Sequence, residues 1–297
     1  MTLRDLVKRV LPAPALTSLG RARQKFERAR VSSLPVLDED LFRQILINDL
    51  GLSVGDTVFV HSSIDQLNPA FPFYRVLSLL QDVVGAEATL LFPTYPQTSS
   101  SEFLTTGEIF DVRKSASYTG ILSEFARRQR DAFRSLHPTK SVCAIGPRAA
   151  ELTSTHQESV YPYDHGSPYY RSMKPNGKII GLGVSTSNLS FVHCVDDELK
   201  EAFPVRPYHE TMFAAHCVNA AGEIEIVNTY AHDLGKMKHD IPRFMSEHIS
   251  PEVCRDLRTY GRKFFRADAQ ELFETMVGLA RKGITIYPRW AYRKRDR

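Results

Sequence analysis

The chain of 297 residues has little cysteine and no long apolar run. Its four cysteines are far apart and form no Cys-x-x-Cys pair: Cys143, Cys194, Cys217 and Cys254. Zinc clusters and disulfide frameworks need grouped cysteines, so we expect reduced thiols and no metal site. No apolar run approaches the roughly 20 residues of a membrane span. The first twenty residues are charged within their apolar part and lack a clear cleavage site, which argues against a signal peptide. These absences predict a cytoplasmic protein.

Three motifs of common enzyme classes are missing as well. The sequence contains no Gly-rich phosphate loop, no His-Glu-x-x-His zinc motif and no Gly-x-Ser-x-Gly nucleophile elbow. Each motif places a specific reactive group, so their absence disfavours P-loop enzymes, zinc proteases and serine hydrolases of the usual kind.

The net charge is only +4, but it is uneven. Residues 1–30 are rich in Arg and Lys with apolar residues on one helical face, and the chain ends in the basic stretch RWAYRKRDR. One interpretation is a weak contact of residues 1–30 with a membrane surface, peripheral to its inner face. The alternative is a pair of solvated ends. We predict a basic amphipathic extension over 1–35, a single α/β domain over 36–297, and no nucleic-acid partner.

Helical and strand patterns alternate through the first half of the chain. Asp38 or Asp40 is suited to cap a helix with apolar residues on one face, and TVFV follows as a short buried strand. The Ser- and Thr-rich stretch SSSEFLTTGEIFD is interpreted as a surface excursion. Further strands are predicted at ATLLFP, SVCAIG and GKIIGLGV, a hairpin at MFAAHCVNAAGEIEIVNTY and a helix at DAQELFETMVGLARKG. The pattern predicts an α/β fold with a mixed central sheet flanked by helices and an antiparallel hairpin region in the C-terminal half.

Several polar clusters are candidates for a site. A lone histidine or a serine pair is most often a satisfied polar group or a turn, so none of them is decisive in isolation. The clusters are His61-Ser62-Ser63, Asp111 to Gly120, Arg134 to Ser141, His165 to Pro168, His193 to Asp197, and His232-Asp233. The first follows a buried strand, where open α/β sheets usually place their ligands.

Taken in order, the polar segments resemble the aminoglycoside 3-N-acetyltransferase family over about residues 40–280. The resemblance rests on GDTVFVHSSIDQLN, ATLLFPTY, FDVRKSASYTGILSEFAR, RSLHPTKSVCAIGPRA, HGSP and KIIGLGVSTSNLSFVHCVDD. It implies an acyltransferase that moves an acetyl group from acetyl-CoA to an amine. It also implies a family-specific α/β fold, different from that of the smaller GNAT acetyltransferases.

The resemblance implies a histidine as general base. The family's reactive stretch is matched here by Asn188, His193 and Asp196, with Asp196 standing where the family usually has Glu. An ammonium group is no nucleophile, so a neutral histidine oriented by a carboxylate fits the reaction. Asp197 is an alternative partner for His193. A further acidic pair of the family matches only loosely, at His232 and Asp233.

The resemblance also places RSLHPTKS beside the coenzyme and the floor of the active site. The phosphates of coenzyme A need N–H groups, hydroxyls or cations. The predicted coenzyme contacts are His61, Ser62, Ser63, Ser117, Thr119, Gly120 and Ser135. His137 is a supporting catalytic candidate, and an equal alternative is that it only orders the strand behind it.

An acyl-cysteine on Cys194 is a rival mechanism. In an extended segment His193 and Cys194 would point to opposite faces, so we favour direct attack in a ternary complex.

The acceptor is open between two classes. A polycationic aminoglycoside favours an acidic pocket, whereas this chain is mildly basic. The resemblance also implies amino sugars of surface polysaccharides, and a nucleotide- or lipid-linked amino sugar is at least as favoured as an antibiotic. A homodimer is a further prediction. The alternative from another class is a non-catalytic binding protein, because Asp196 replaces Glu and GAEATL departs from the family pattern.

Overall fold

The computed structural model describes residues 29–96, 98–174 and 176–288. The predictions about the basic segment before residue 29, its membrane contact and the terminal RWAYRKRDR lie outside the described residues. Within them, Val31 is buried and its carbonyl accepts a hydrogen bond from the Asn68 side chain at 3.3 Å. In this part of the chain, no helix is both long and apolar enough to cross a membrane. The boundary at residue 35 stays a prediction.

In the described ranges, ten strands form two sheets. Their bounds are β1 Thr57–Ser62, β2 Thr89–Pro93, β3 Phe110–Asp111, β4 Phe133–Arg134, β5 Val142–Ile145, β6 Gly177–Leu182, β7 Tyr208–Val218, β8 Ile224–His232, β9 Cys254–Thr259 and β10 Arg262–Asp268. The central sheet has the order β4-β5-β2-β1-β6-β10-β9. In it β1 is parallel to β2 and β6, and the outer pairs are antiparallel. The second sheet has the order β3-β7-β8. The predicted mixed central sheet is confirmed.

The helices lie between and around these strands. Their bounds are α1 Glu39–Gln44, α2 Ile64–Leu67, α3 Arg75–Val84, α4 Ser100–Thr106, α5 Ile121–Arg127, α6 Ala149–Thr153, α7 Pro168–Arg171, α8 His193–Leu199, α9 Ile241–His248 and α10 Ala269–Arg281. The first continues as a π-helical turn over Ile45–Asp49. Of the two predicted caps, Asp38 is the one used, since its carboxylate accepts from the Leu41 N–H at 2.8 Å.

The central sheet is buried on both faces. Side chains alternate along β1, so Phe59 joins one apolar cluster while Val58 and Val60 join the other. All three are at most 1% exposed, and each such side chain stabilises the fold by about 1.5–3 kcal/mol. Polar side chains are therefore excluded from the middle of the sheet and collect where its strands end.

The hairpin region is confirmed, and the predicted surface excursion is right in part, since residues 105–109 are exposed. Strands β7 and β8 pair antiparallel around a turn in which the Asn219 N–H donates to the Glu223 carbonyl at 2.9 Å. The predicted excursion also contains α4 and β3. Its Phe103 and Phe110 are buried in a third apolar cluster against the second sheet. Ser and Thr dominate the composition there, but two aromatic side chains decide the packing.

Candidate functional site

A histidine and an aspartate share the first turn of α8. The loop after β6 is held by Asp256, whose carboxylate accepts from the Thr186 N–H at 2.8 Å and from the Thr186 hydroxyl at 2.7 Å. A 3-10 turn over Ser190–Val192 then leads directly into α8. Residues three apart on a helix are neighbours, and His193 Nδ1 lies 2.9 Å from Asp196 Oδ2. Because a carboxylate only accepts, this contact assigns the proton to Nδ1 and leaves a lone pair on Nε2.

A tyrosine from the far end of the chain completes this pair. The Tyr287 hydroxyl donates to Asp196 Oδ2 at 2.8 Å and lies 3.5 Å from His193 Nδ1. Burial raises the pKa of Tyr287 well above its usual value, so it stays a donor. No sequence motif marks Tyr287, which is why inspection of the sequence missed it.

Asp196 contacts the imidazole, and Asp197 has other partners. Asp197 accepts from the Tyr163 N–H at 2.7 Å and from the Tyr208 hydroxyl at 2.6 Å. Burial raises the pKa of Asp197 well above the usual value of an aspartate. Asp196 is thus the carboxylate that contacts His193, and its side chain reaches the imidazole although it is shorter than that of a glutamate.

Of the loosely matched pair, His232 lies against His193 and Asp233 does not. Strand register pairs His232 with Tyr208, and the two rings stack at 4.6 Å. The His232 ring is 4.9 Å from the His193 ring, and burial lowers its pKa well below that of free histidine. Asp233 instead accepts from the Gly235 N–H at 2.9 Å in the turn after β8.

A third ring beside His193 was not predicted from the sequence. His239 lies 5.7 Å from it between ring centres, and burial lowers the pKa of His239 to about 4. Within the described ranges, no three His, Cys, Asp or Glu side chains are grouped to hold a metal ion. His232 and His239 are therefore neutral polar side chains that lie beside the His193 ring.

Most of the predicted coenzyme residues meet where β1 and β2 end. The Thr119 hydroxyl donates to the Pro93 carbonyl and lies 2.9 Å from the Ser117 hydroxyl. Gly120 follows with φ +122°, and a Cβ there would lie 3.3 Å from the Ser62 carbonyl. This close approach joins the 117–120 loop to the end of β1.

Two polar atoms at the end of β1 are buried and have no hydrogen-bond partner among the described residues. They are His61 Nε2 and the Ser62 hydroxyl. Burial lowers the pKa of His61 to about 3, so its ring is neutral. The neighbouring Ser63 is half-buried, and its N–H donates to the Leu182 carbonyl at 2.9 Å. Buried polar groups are normally paired, so this edge suits a ligand that brings polar atoms of its own, as coenzyme A does.

Arg134 organises the block that resembles the family most specifically. Its guanidinium donates to the carbonyls of Thr94 at 2.8 Å and Ser115 at 2.5 Å, and it stacks on the Phe110 ring. Burial lowers the pKa of Arg134 to about 9. Arg134 thereby ties β4 to the loop that carries Ser117 and Thr119.

Ser135 is occupied inside the protein. Its hydroxyl accepts from the Val142 N–H at 2.9 Å and donates to His156 Nδ1 at 2.8 Å. His156 must be the acceptor, because its Nε2 donates to the Pro162 carbonyl. The coenzyme contact of Ser135 stays a prediction, and this geometry gives its hydroxyl a structural role.

The His137 ring is engaged at both nitrogens. Nδ1 accepts from the N–H groups of Thr139 at 3.3 Å and Lys140 at 3.0 Å, so Nε2 carries the proton and faces the Thr229 hydroxyl at 3.2 Å. The ring is fully buried and stacks on His156. With its lone pair used by the backbone, His137 is better suited to ordering the turn before β5 than to accepting a proton.

Cys194 lies in α8, so the expectation of an extended segment there is wrong. Adjacent helical residues still do not face each other, and Cys194 is fully buried. Burial also raises the pKa of its thiol well above the usual value. Both facts weigh against an acyl-cysteine.

His165, from another of the predicted polar clusters, is exposed and pairs with Glu198 at 3.1 Å.

Known proteins were compared with this chain and its fold. Aminoglycoside N(3)-acetyltransferase III of Serratia marcescens is 30% identical over 161 residues, which cover 50% of this chain and 60% of that protein. The chain thus spans less than two thirds of the length of the curated relatives it matches first. The solved structure of aminoglycoside acetyltransferase AAC(3)-Xa matches with a TM-score of 0.72 at 23% identity, covering 89% of this chain and 99% of that one. AAC-IIIb, solved as a binary complex with CoASH, matches with a TM-score of 0.66 at 19% identity, covering 86% and 100%.

The sequence profile described as aminoglycoside 3-N-acetyltransferase matches residues 59–280, about three quarters of the chain. That span contains the ends of β1 and β2, the Arg134 block and the His193–Asp196 pair. The predicted resemblance is therefore confirmed, and the chain belongs to the aminoglycoside 3-N-acetyltransferase family.

Proposed function

We propose that this chain transfers the acetyl group of acetyl-CoA to an amino group of a sugar, with His193 as general base. The observation that carries the proposal is the hydrogen-bonded series Tyr287–Asp196–His193. It leaves Nε2, the ring nitrogen turned away from Asp196, to take a proton. Tyr287 lies outside the matched segment 59–280, so this support is independent of the resemblance.

In this mechanism the acceptor attacks the thioester directly. As the new C–N bond forms and the C–S bond breaks, a proton passes from the amine to His193 Nε2. The imidazolium that results is stabilised by Asp196, which the Tyr287 hydroxyl holds in position. The proton then passes to the coenzyme A thiolate, which leaves as the thiol. The buried Cys194 takes no part.

The coenzyme is assigned to the edge where β1 and β2 end. Ser62, Ser63, Ser117, Thr119 and Gly120 supply small side chains, hydroxyls and close backbone there. The unpaired Ser62 hydroxyl and His61 Nε2 support this assignment. So does the fold, which is shared with a protein solved with CoASH.

Two acceptor classes remain, each with a specific support. The name of the Serratia marcescens relative supports an aminoglycoside, which would make the chain a resistance enzyme. The net charge of +4 supports a phosphate-bearing amino sugar, nucleotide- or lipid-linked, of the kind used in polysaccharide synthesis.

The test is thiol release from acetyl-CoA with a panel of amino sugars and aminoglycosides. We expect turnover by the wild type and a loss of about 10²–10⁴-fold in kcat for His193→Ala. Coenzyme binding, measured by calorimetry, should be unchanged in that variant. The control is His165→Ala, which removes an exposed histidine that pairs with Glu198 and lies against the Tyr170 ring.

Three outcomes would count against the proposal. A wild type that releases no thiol with any amine would favour the non-catalytic binding protein. A His193→Ala variant that keeps its turnover would remove the assigned base. An acetyl-enzyme that accumulates without acceptor would replace direct attack by a two-step mechanism.

A further inference from the structure

Lys140 carries a positive charge that no carboxylate of the described residues balances. Its ammonium lies 4.8 Å from the centre of the Tyr95 ring, over the ring face. Its backbone N–H is held by His137 Nδ1, so the residue is fixed at its base. Burial alone lowers the pKa of Lys140 to about 8, with no charged neighbour raising it. An ammonium without a counter-ion in such a place is costly unless a ligand supplies one.

Tyr95, against which the Lys140 ammonium lies, contacts both the turn before His193 and the loop assigned to the coenzyme. The Tyr95 hydroxyl is bonded to the Ser190 hydroxyl at 3.2 Å, and Ser190 opens the turn that leads into His193. On the other side, the Tyr95 carbonyl accepts from the Tyr118 N–H at 2.9 Å, in the loop assigned to the coenzyme. Lys140 therefore lies against the tyrosine that joins the loop assigned to the coenzyme to the turn before His193. Its charge also lowers the pKa of His232.

The carboxylates near His193 accept hydrogen bonds from residues other than Lys140. Asp196 accepts from both His193 and Tyr287, and Asp197 accepts from Tyr163 and Tyr208. Burial keeps His232 neutral. In the described part of the chain none of these carboxylates pairs with Lys140, and a polycation bound beside its ammonium would meet a like charge.

We propose that Lys140 is a specificity-determining residue that selects amino sugars bearing an anionic group, a phosphate ester or a carboxylate, close to the amine. The inference rests on the proposed acetyl transfer and adds the acceptor class to it. A single ammonium on a long stem is a compact point charge, which suits either anion. The anion would supply the counter-ion that Lys140 lacks and would orient the amine toward His193.

The experiment compares kcat/KM for four acceptors: glucosamine, glucosamine 6-phosphate, 2-amino-2-deoxyglucuronate and sisomicin. We expect the wild type to prefer one of the two anionic sugars over glucosamine at least about 10-fold. Preference for the phosphate or for the uronate identifies which anion Lys140 receives.

Substitution of Lys140 then separates specificity from catalysis. Lys140→Met should lower kcat/KM for the anionic sugar about 10- to 100-fold, mainly through KM. It should leave glucosamine within about 2-fold, which also shows that the variant is folded. Lys140→Arg should retain part of the preference. The matched control is Lys282→Met, which removes an exposed lysine at the end of α10.

The contrary outcomes are distinct. Equal loss on all acceptors would mean that Lys140 acts on the thioester or on the fold, and this would overturn the selection of an anion. A wild type that prefers glucosamine or sisomicin would overturn it as well. Absence of thiol release with every acceptor would instead contradict the proposed function on which the inference depends.

Discussion

The imidazole of His193 is positioned by two side chains at very different distances along the chain. Asp196 is three residues away, a separation that a helix converts into contact. Tyr287 is 94 residues away and reaches the same carboxylate only through the packing of the segment after α10. Groups that hold the partner of a reactive side chain often matter nearly as much as the partner itself.

Tyr287→Phe should lower kcat about 10-fold, because Asp196 loses a charge-assisted hydrogen bond and with it part of its orientation. KM for acetyl-CoA should stay unchanged, since Tyr287 does not touch the residues assigned to the coenzyme. Steady-state kinetics measures both values. The control is Tyr260→Phe, on a tyrosine that is 50% exposed. An unchanged kcat would mean that Tyr287 serves packing only.

The preference for an anionic acceptor should fall as the pH rises from 7 to 9. Burial lowers the pKa of Lys140 to about 8, so its ammonium is charged below that pH and neutral above it. The groups around it keep their charge over this range. The pKa values of His137 and His232 lie well below it, and that of Tyr95 is raised above the usual tyrosine value of 10.

The measurement is the ratio of kcat/KM for the anionic sugar to that for glucosamine across this range. The ratio should fall up to about 10-fold in the wild type, because about one tenth of the ammonium remains at pH 9. It should stay flat in Lys140→Arg, since a guanidinium keeps its charge. A flat wild-type ratio would show that the ammonium does not face the anion.

Among the elements, the 117–120 loop depends on a close approach to β1. Gly120 adopts φ +122°, which L-residues rarely adopt, and lies against the Ser62 carbonyl. Arg134 holds the start of this loop from the opposite side. The loop and the strand end therefore form one unit, and the coenzyme contacts belong to that unit.

Gly120→Ala should raise KM for acetyl-CoA about 5- to 10-fold and leave kcat nearly unchanged. The new Cβ adds strain of about 1–2 kcal/mol and displaces the loop from β1 while His193 stays in place. The matched control is Gly107→Ala, because Gly107 also has a positive φ, +73°, but has nothing within 4 Å of its added Cβ. Equal effects of the two variants on KM would show that the 117–120 loop does not contact the coenzyme.

At the scale of the whole molecule, five histidines of the described residues have lowered pKa values, and all of them except the half-buried His239 are buried. The value is about 3 for His61, about 4 for His156 and His239, and well below 6.5 for His137 and His232. In the unfolded chain each binds a proton near pH 6.5. Their contribution to stability is complete above that pH and is lost as the pH falls toward the folded values.

We therefore expect the free energy of unfolding to fall between pH 7.5 and pH 5.5. Each fully buried histidine contributes roughly 1.4 kcal/mol to the loss, and Asp197, whose pKa is raised, offsets part of it. Urea unfolding at both pH values measures the change. His239→Gln should reduce the loss and His165→Ala should not, because His165 is exposed. A midpoint that does not move between the two pH values would contradict the neutral burial of these rings.

Local features of the chain could be read from the sequence because they depend on residues close together. The strand patterns, the Asp38 cap, the hairpin turn and the spacing of His193 and Asp196 are of this kind. The family was also accessible, since its segments keep their order. Composition gave no sign that Phe103 and Phe110 are buried and anchor a stretch rich in Ser and Thr.

The mixed α/β sheet, the family, and a histidine with a carboxylate three residues on follow from the order and spacing of the residues. Which polar groups remain available for a ligand or a proton depends on the folded arrangement. His137 lost its lone pair to two backbone N–H groups, Asp197 was taken by two tyrosines, and Lys140 has no counter-ion among the described residues. Whether a polar group is satisfied depends on partners that folding brings from distant parts of the chain, and sequence periodicity carries no record of those contacts.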